Sequence, residues 1–273
     1  MTRTLKIFVA LTGIMFIVLA YAVANFPPSG KIPVLTYHFI GSEHEAEKHK
    51  DYVSKRSFSW QMAFLDFLNY RVISLDDLYA IKTAKRKPMG RELVITFDND
   101  GGSFEETALP VLEKYTQPVG LFVVSESVKR GIHNNMSPET LRELYDRGWI
   151  TVASHSKTHP ILARMTVEQI EEELHGSKVD LEALLERPIR YLAYPNGELD
   201  QRVIDIAASS GYLLSFTDSY KGFNGDVESL HNLPRVRITR TADNLFVFWA
   251  KVSGIYQWFK RLRFQLKGIP AKV

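Results

Sequence analysis

The chain has no cysteine among its 273 residues. That excludes disulfides, thiolate metal sites and thiol nucleophiles together, so any bound metal must rest on imidazole, carboxylate or amide oxygen. An excess of one charge sign is lacking too. A formal net charge of +3 is far from the concentrated basic face that tracks a phosphate backbone, and no nucleic-acid partner is expected. Low-complexity tracts and sequence-level repeats are also missing. What remains is an ordinary globular composition, 45% hydrophobic and 24% charged, sufficient to bury a full core as one large domain or two small ones.

One long uncharged apolar run stands out, residues 7–26, preceded by Arg3 and Lys6. It is long enough to span a bilayer as a helix, and its positive flank predicts that the N-terminus stays cytoplasmic. Ala22-Val23-Ala24 also has the small-residue pattern of a signal-peptidase site, so the segment is either a single-pass anchor or a cleaved signal peptide. Both readings place the rest of the chain outside the cytoplasm. Pro27-Pro28-Ser29-Gly30 ends the helix, which gives residues 1–30 as the export or anchor segment with its linker.

From residue 31 the pattern alternates between short β-rich apolar runs and stretches of helical period. Strands are expected at residues 32–37, 71–74, 93–97, 119–124, 150–153, 189–193 and 212–216, with helices around 58–68, 75–82, 107–115, from 137, 166–185 and 200–209. Residues 41–55 are polar, lack an apolar period, and read as a solvated loop. The alternation is that of a parallel α/β fold. Residues 242–273 form a basic amphipathic C-terminal segment with Phe246, Phe248, Trp249, Lys251, Trp258, Lys260 and Arg261. It reads either as an interfacial helix on an anionic membrane or as a closing helix packed on the domain.

Polar clusters stand directly after three of the expected strands: Asp98-Asn99-Asp100, His155 with His159, and Tyr194-Pro195-Asn196-Gly197. In a barrel of parallel strands the carboxyl ends share one face, and chemistry is built there. His155 and His159 are four apart, a spacing that sets two imidazoles on one side of a helical turn, able to grip one cation. With no thiolate available, a third ligand must be oxygen, and Asp98 to Asp100 supply it.

These residues resemble the polysaccharide deacetylases of the NodB-homology type, carbohydrate esterase family 4, over residues 32–238. Thr96-Phe97-Asp98-Asn99-Asp100-Gly101 with the downstream Ala108-Leu109-Pro110-Val111-Leu112 resembles the family's TFDDG and ALPIL elements. His155-Ser156-Lys157-Thr158-His159 resembles its H-S/T-x-x-H motif, and Leu192-Ala193-Tyr194-Pro195-Asn196-Gly197 its FAYPYG form. Tyr37-His38, Gly211-Tyr212 and Leu233-Pro234-Arg235-Val236 resemble further elements.

The resemblance implies a distorted (β/α)7-type barrel over residues 31–241 and hydrolytic removal of N-acetyl groups from an extracellular glucosamine-containing glycan. It makes Asp98 the general base, His155 and His159 ligands of a divalent metal such as zinc, and Tyr194, Pro195 and Asn196 the substrate-binding turn. Asn99 stands where the family has its metal-binding Asp, so either Asn99 or Asp100 completes the metal site. Asn99 also leaves open a catalytically impaired glycan-binding relative, and the same apparatus serves O-deacetylation of xylan-type glycans. The family's leaving-group acid has no assigned counterpart, with His231 a candidate by its order in the chain.

Overall fold

The structure is a computed structural model that describes residues 32–99, 104–131, 136–218 and 229–256, without the side chain of Asn99. The expected N-terminal hydrophobic helix lies outside the described residues. Among the described residues no helix is long and apolar enough to cross a membrane.

A mostly parallel sheet, nearly closed into a barrel, organises the domain. Its staves are β1 (Val34–Tyr37), β5 (Glu92–Asn99), β6 (Val119–Val123), β7 (Ile150–Ser154), β8 (Tyr191–Ala193) and β9 (Leu214–Thr217), all paired in parallel. The ring is completed by β10 (Leu233–Pro234), which pairs with β9, and β11 (Val236–Arg237), which pairs with β1. Those two pieces are consecutive, so one short extended segment passes from one edge of the sheet to the other, with Arg235 at the handover. β4 (Arg71–Val72) joins the lower end of β5.

Side chains alternate across this sheet because successive strand residues point to opposite faces. One apolar cluster gathers Val34, Val94, Phe122, Ala153, Tyr191, Leu214, Phe216 and Leu233 and fills the barrel. The other parity, Leu35, Tyr37, Ile95, Phe97, Leu121, Val152 and Leu192, packs outward under the helices. Each such buried side chain contributes roughly 1.5–3 kcal/mol of transfer free energy.

The helix Leu75–Lys82, opened by a Ser74–Asp77 capping box, brings Leu75 and Leu78 into the inner cluster and closes the barrel floor. Gly120 makes room for it. A Cβ built there would lie 2.8 Å from Leu75 Cδ1, so this stave position has to be bare.

The expected helices over 75–82, 166–185 and 200–209 occur as Leu75–Lys82, Val167–Leu185 and Gln201–Ser209. The reading of residues 41–55 as a loop is corrected. β2 (Phe39–Gly41) and β3 (Tyr52–Ser54) form a small parallel pair around the helix Glu43–Lys48, whose Ser42–Glu45 capping box satisfies its first turn. With Ala46 as its only buried residue, that helix has no apolar period to read.

The helix Leu245–Ser253 packs Phe248 and Val252 into the outer core, with Phe248 edge-on to Phe64 at 6.2 Å. Lys251, counted in the sequence as part of a basic surface, is buried, and its Nζ donates to the Arg237 carbonyl at 2.9 Å. Trp258 and the later basic residues lie outside the described residues.

Candidate active site

Counting by twos along the inward-facing positions leads from an apolar floor to a polar rim. β1 runs Val34, Thr36, then His38; β5 runs Val94, Thr96, then Asp98; β7 gives Ala153, then His155; β9 runs Leu214, Phe216, then Asp218; the closing segment gives Leu233, then Arg235. Five ionisable side chains from five staves therefore meet at the carboxyl ends, where barrels build chemistry.

Asp98 is the hub. Arg235 donates from Nη1 to Asp98 Oδ1 at 2.5 Å and from Nη2 to Oδ2 at 2.6 Å, a two-toothed grip, and its Nη2 and Nε also donate to Asp218 Oδ1 at 2.8 and 3.1 Å. The guanidinium is fully buried and lies 5.4 Å from the centre of the Phe122 ring. His155 Nε2 and His38 Nε2 stand 3.8 and 4.0 Å from Asp98 Oδ2.

Burial alone would raise the Asp98 pKa. The positive charge of Arg235 and its hydrogen bonds, with His155 and His38 beside them, outweigh that and hold the carboxyl well below the usual carboxylate range. Burial likewise works against the Arg235 charge, and Asp218 and Asp98 more than restore it. Asp98 is thus an ionised, immobile carboxylate aimed at two imidazoles.

The Nδ1 of His155 lies 2.8 Å from the Ala193 carbonyl. In the neutral ring this contact puts the proton on Nδ1 and leaves the Nε2 lone pair free, as metal-binding histidines require. Burial, more than any charge nearby, lowers the His155 pKa and keeps that neutral form in place at neutral pH. The His159 ring meets His155 at 4.8 Å, edge to face.

The helical turn expected for this pair is not what brings the rings together. Residues 155–159 form an irregular loop in which Ser156 and His159 adopt left-handed φ of 65° and 64°. Glu173, buried on the helix Val167–Leu185, holds this loop from beneath. It accepts the amides of Lys157 at 3.0 Å and Thr158 at 2.8 Å, and the Thr158 hydroxyl at 2.5 Å. Ser156 Oγ accepts the His159 amide at 3.0 Å.

Asp100 and the side chain of Asn99 lie outside the described residues. Tyr194 is expected in the substrate-binding turn with Pro195 and Asn196. Its parity turns it outward into the helix-side core, fully buried, where its hydroxyl donates to the His231 carbonyl at 2.9 Å. Its amide donates to the Phe216 carbonyl at 2.9 Å, and Pro195, also buried, has no amide hydrogen. Asn196 is the exposed member of this turn, at φ 59°. His231 is half-buried with Nδ1 3.3 Å from Ser215 Oγ.

Sequence reading assigned no role to His38, Asp218 or Arg235. The available signal was the inward parity of the strand each one ends.

Residues 85–215 match the polysaccharide deacetylase family. Over that stretch the chain carries a polysaccharide deacetylase domain. Over 209 residues the deacetylase is 26% identical to the Bacillus subtilis protein YxkH, named as a polysaccharide deacetylase, across 77% of this chain and 72% of that one. It is 23% identical over 226 residues to the poly-β-1,6-N-acetyl-D-glucosamine N-deacetylase of Staphylococcus aureus, across 78% and 76%. Its fold superposes on the Streptococcus pyogenes deacetylase PplD, solved in complex with acetate, with a TM-score of 0.73 and 25% identity, covering 80% of this chain and 97% of that one.

Two donor sets in the deacetylase bear on a divalent cation. His38, Asp98 and Asp218 bring ligand atoms within 4.8 Å of one another. Between the two carboxylates, however, sits the Arg235 guanidinium, which already supplies their positive partner and would have to be expelled from a fully buried position. The imidazole pair carries no such occupant. His155, with Nδ1 committed to a carbonyl and Nε2 unprotonated, together with the adjoining His159, fits a borderline cation of the zinc type.

Proposed function

We propose that the protein removes N-acetyl groups from a glucosamine-containing glycan by metal-assisted hydrolysis, outside the cytoplasm. The observation that carries this reading is the meeting of an ionised, Arg-held Asp98 with the Nε2 edge of His155 at 3.8 Å. Similarity to the Staphylococcus aureus N-deacetylase supports the amide and the glucosamine polymer. The apolar run behind Arg3 and Lys6 supports export.

His155 and His159 would hold the metal, with Asn99 or Asp100 as the oxygen ligand. When bound, the metal supplies Lewis acidity, polarising the acetamide carbonyl and making a water easier to deprotonate. Asp98 removes that water's proton as the oxygen attacks the carbonyl carbon. Arg235 keeps the carboxylate charged and fixed while this happens. The tetrahedral oxyanion is met by the exposed turn at Asn196, whose amide is the donor there, since those of Tyr194 and Pro195 are committed or absent.

As the C–N bond breaks, His38 protonates the departing nitrogen. Its Nε2 faces Asp98 from the opposite strand to His155, which His231, engaged with Ser215 on the outer layer, does not. Acetate and a free amine leave.

The test is acetate release from β-1,6-linked N-acetylglucosamine oligomers by the zinc-loaded protein, with acetylated xylan as the ester comparison. Release that vanishes in His155→Ala and Asp98→Asn supports the reading. No release from the intact protein, with glycan binding retained, would instead establish the second reading, a glycan-binding relative impaired at Asn99.

A further inference from the structure

One cavity of the domain plays no part in the chemistry above. It measures about 470 Å³ and is walled by Glu43, Glu47, Arg56, Trp60, Arg240 and Asp243. Its walls are the helix Glu43–Lys48, which follows β2, the first turns of the helix Lys55–Phe67, and the turn Arg240–Asp243, which follows β11. The helix Glu43–Lys48 lies beyond β1 and β2, and the turn Arg240–Asp243 beyond the carboxyl end of β11, while His38 stands between β1 and β2. The cavity and the active centre therefore open on the same face of the barrel.

Its lining has a definite chemical character. Trp60 is 57% exposed, a large indole face left in solvent where a folded domain would ordinarily cover it. Around it stand three carboxylates and two guanidinium groups, with Ala46 and Leu245 as the aliphatic part of the lining. Both signs are present, which disfavours a polyanion. An aromatic face ringed by planar hydrogen-bonding groups matches a pyranose, whose C–H face is apolar and whose rim is hydroxyl. The backbone of one wall is tied down, the amide of Arg240 donating to the Lys50 carbonyl at 3.2 Å.

We propose that this cavity is a remote glycan subsite, in which Trp60 stacks on a sugar ring of the same chain whose acetyl group is cleaved at Asp98. The proposal rests on the polysaccharide reading of the active centre, and it adds a preference for polymer over short fragments.

The experiment compares a β-1,6-linked N-acetylglucosamine hexamer with the dimer, by calorimetric binding and by acetate release, in the full chain and in Trp60→Ala and Trp60→Phe. Exposure of the side chain means that both variants should keep the wild-type unfolding midpoint. The expected result is that Trp60→Ala weakens hexamer binding about tenfold, the scale of one aromatic stacking contact. Dimer binding should stay unchanged, and Trp60→Phe should restore most of the loss.

Equal hexamer binding in wild type and Trp60→Ala overturns the subsite, as does a wild type that does not distinguish hexamer from dimer. If hexamer binding depends on Trp60 but no acetate is released, the subsite stands and the hydrolytic reading falls. Acetate release with no Trp60 dependence has the opposite meaning.

Discussion

Asp98 shows how one residue's surroundings set both its charge and the acid sensitivity of the domain. Its folded pKa is depressed, so the unfolded chain takes up the proton first as pH falls. The stabilisation is fully present above the unfolded value of about 4 and is lost as pH drops from there toward the folded value. In metal-free protein, denaturant midpoints should be flat near neutrality and decline below about pH 4. In Asp98→Asn that decline should be shallower, from a lower starting stability, because Arg235 then keeps only Asp218. An acid limb equally steep in both proteins would show that other carboxylates dominate.

Asn99 invites a second test at this scale, because a carboxylate binds a divalent cation more strongly than a neutral amide oxygen. Asn99→Asp should tighten zinc binding by about tenfold or more in a calorimetric titration. Unchanged affinity, with loss in Asp100→Ala, would give the ligand role to Asp100.

Among the elements, the loop of residues 155–159 depends most visibly on a neighbour. Its two left-handed residues are held because Glu173 reaches up from the helix Val167–Leu185 to three donors. Glu173→Gln keeps one acceptor oxygen and turns an amide NH₂ toward donors. It should therefore weaken zinc binding by about 10–100-fold, the range seen when the support of a metal ligand is altered. Substrate KM should change far less than kcat. Zinc affinity within twofold of wild type would make Glu173 a helix-packing residue only.

This element also marks the limit of what the sequence made readable. The helical period over residues 166–185 marked this helix, and the alternation of short strands with helices declared a parallel α/β fold. The clusters at Asp98 and His155 could be found because each follows an apolar run. Glu173 could not, since a buried acid in a helix looks like any surface glutamate until the loop above it is placed. Arg235 and Asp218 directly follow two-residue and four-residue strands, whose inward parity becomes evident only when the neighbouring staves are aligned. The direction of the Tyr194 side chain was equally hidden, because one step of parity separates the barrel interior from the helix layer.

For the molecule as a whole, the seam between β9 and β1 governs integrity. The Arg235 amide donates to the Thr217 carbonyl and the Ile238 amide to the Thr36 carbonyl, both at 2.9 Å. A buried ion pair whose partner is lost costs several kcal/mol, so opening the seam without unfolding the rest is costly. These two amides should accordingly exchange hydrogen as slowly as those of β5 and β6, whereas faster exchange would mean that the seam opens locally.

Closing the ring and arming the carboxylate are thus one event. A folding chain acquires a competent Asp98 only when its last stave locks home, so a half-assembled barrel still emerging has no hydrolytic centre to misdirect.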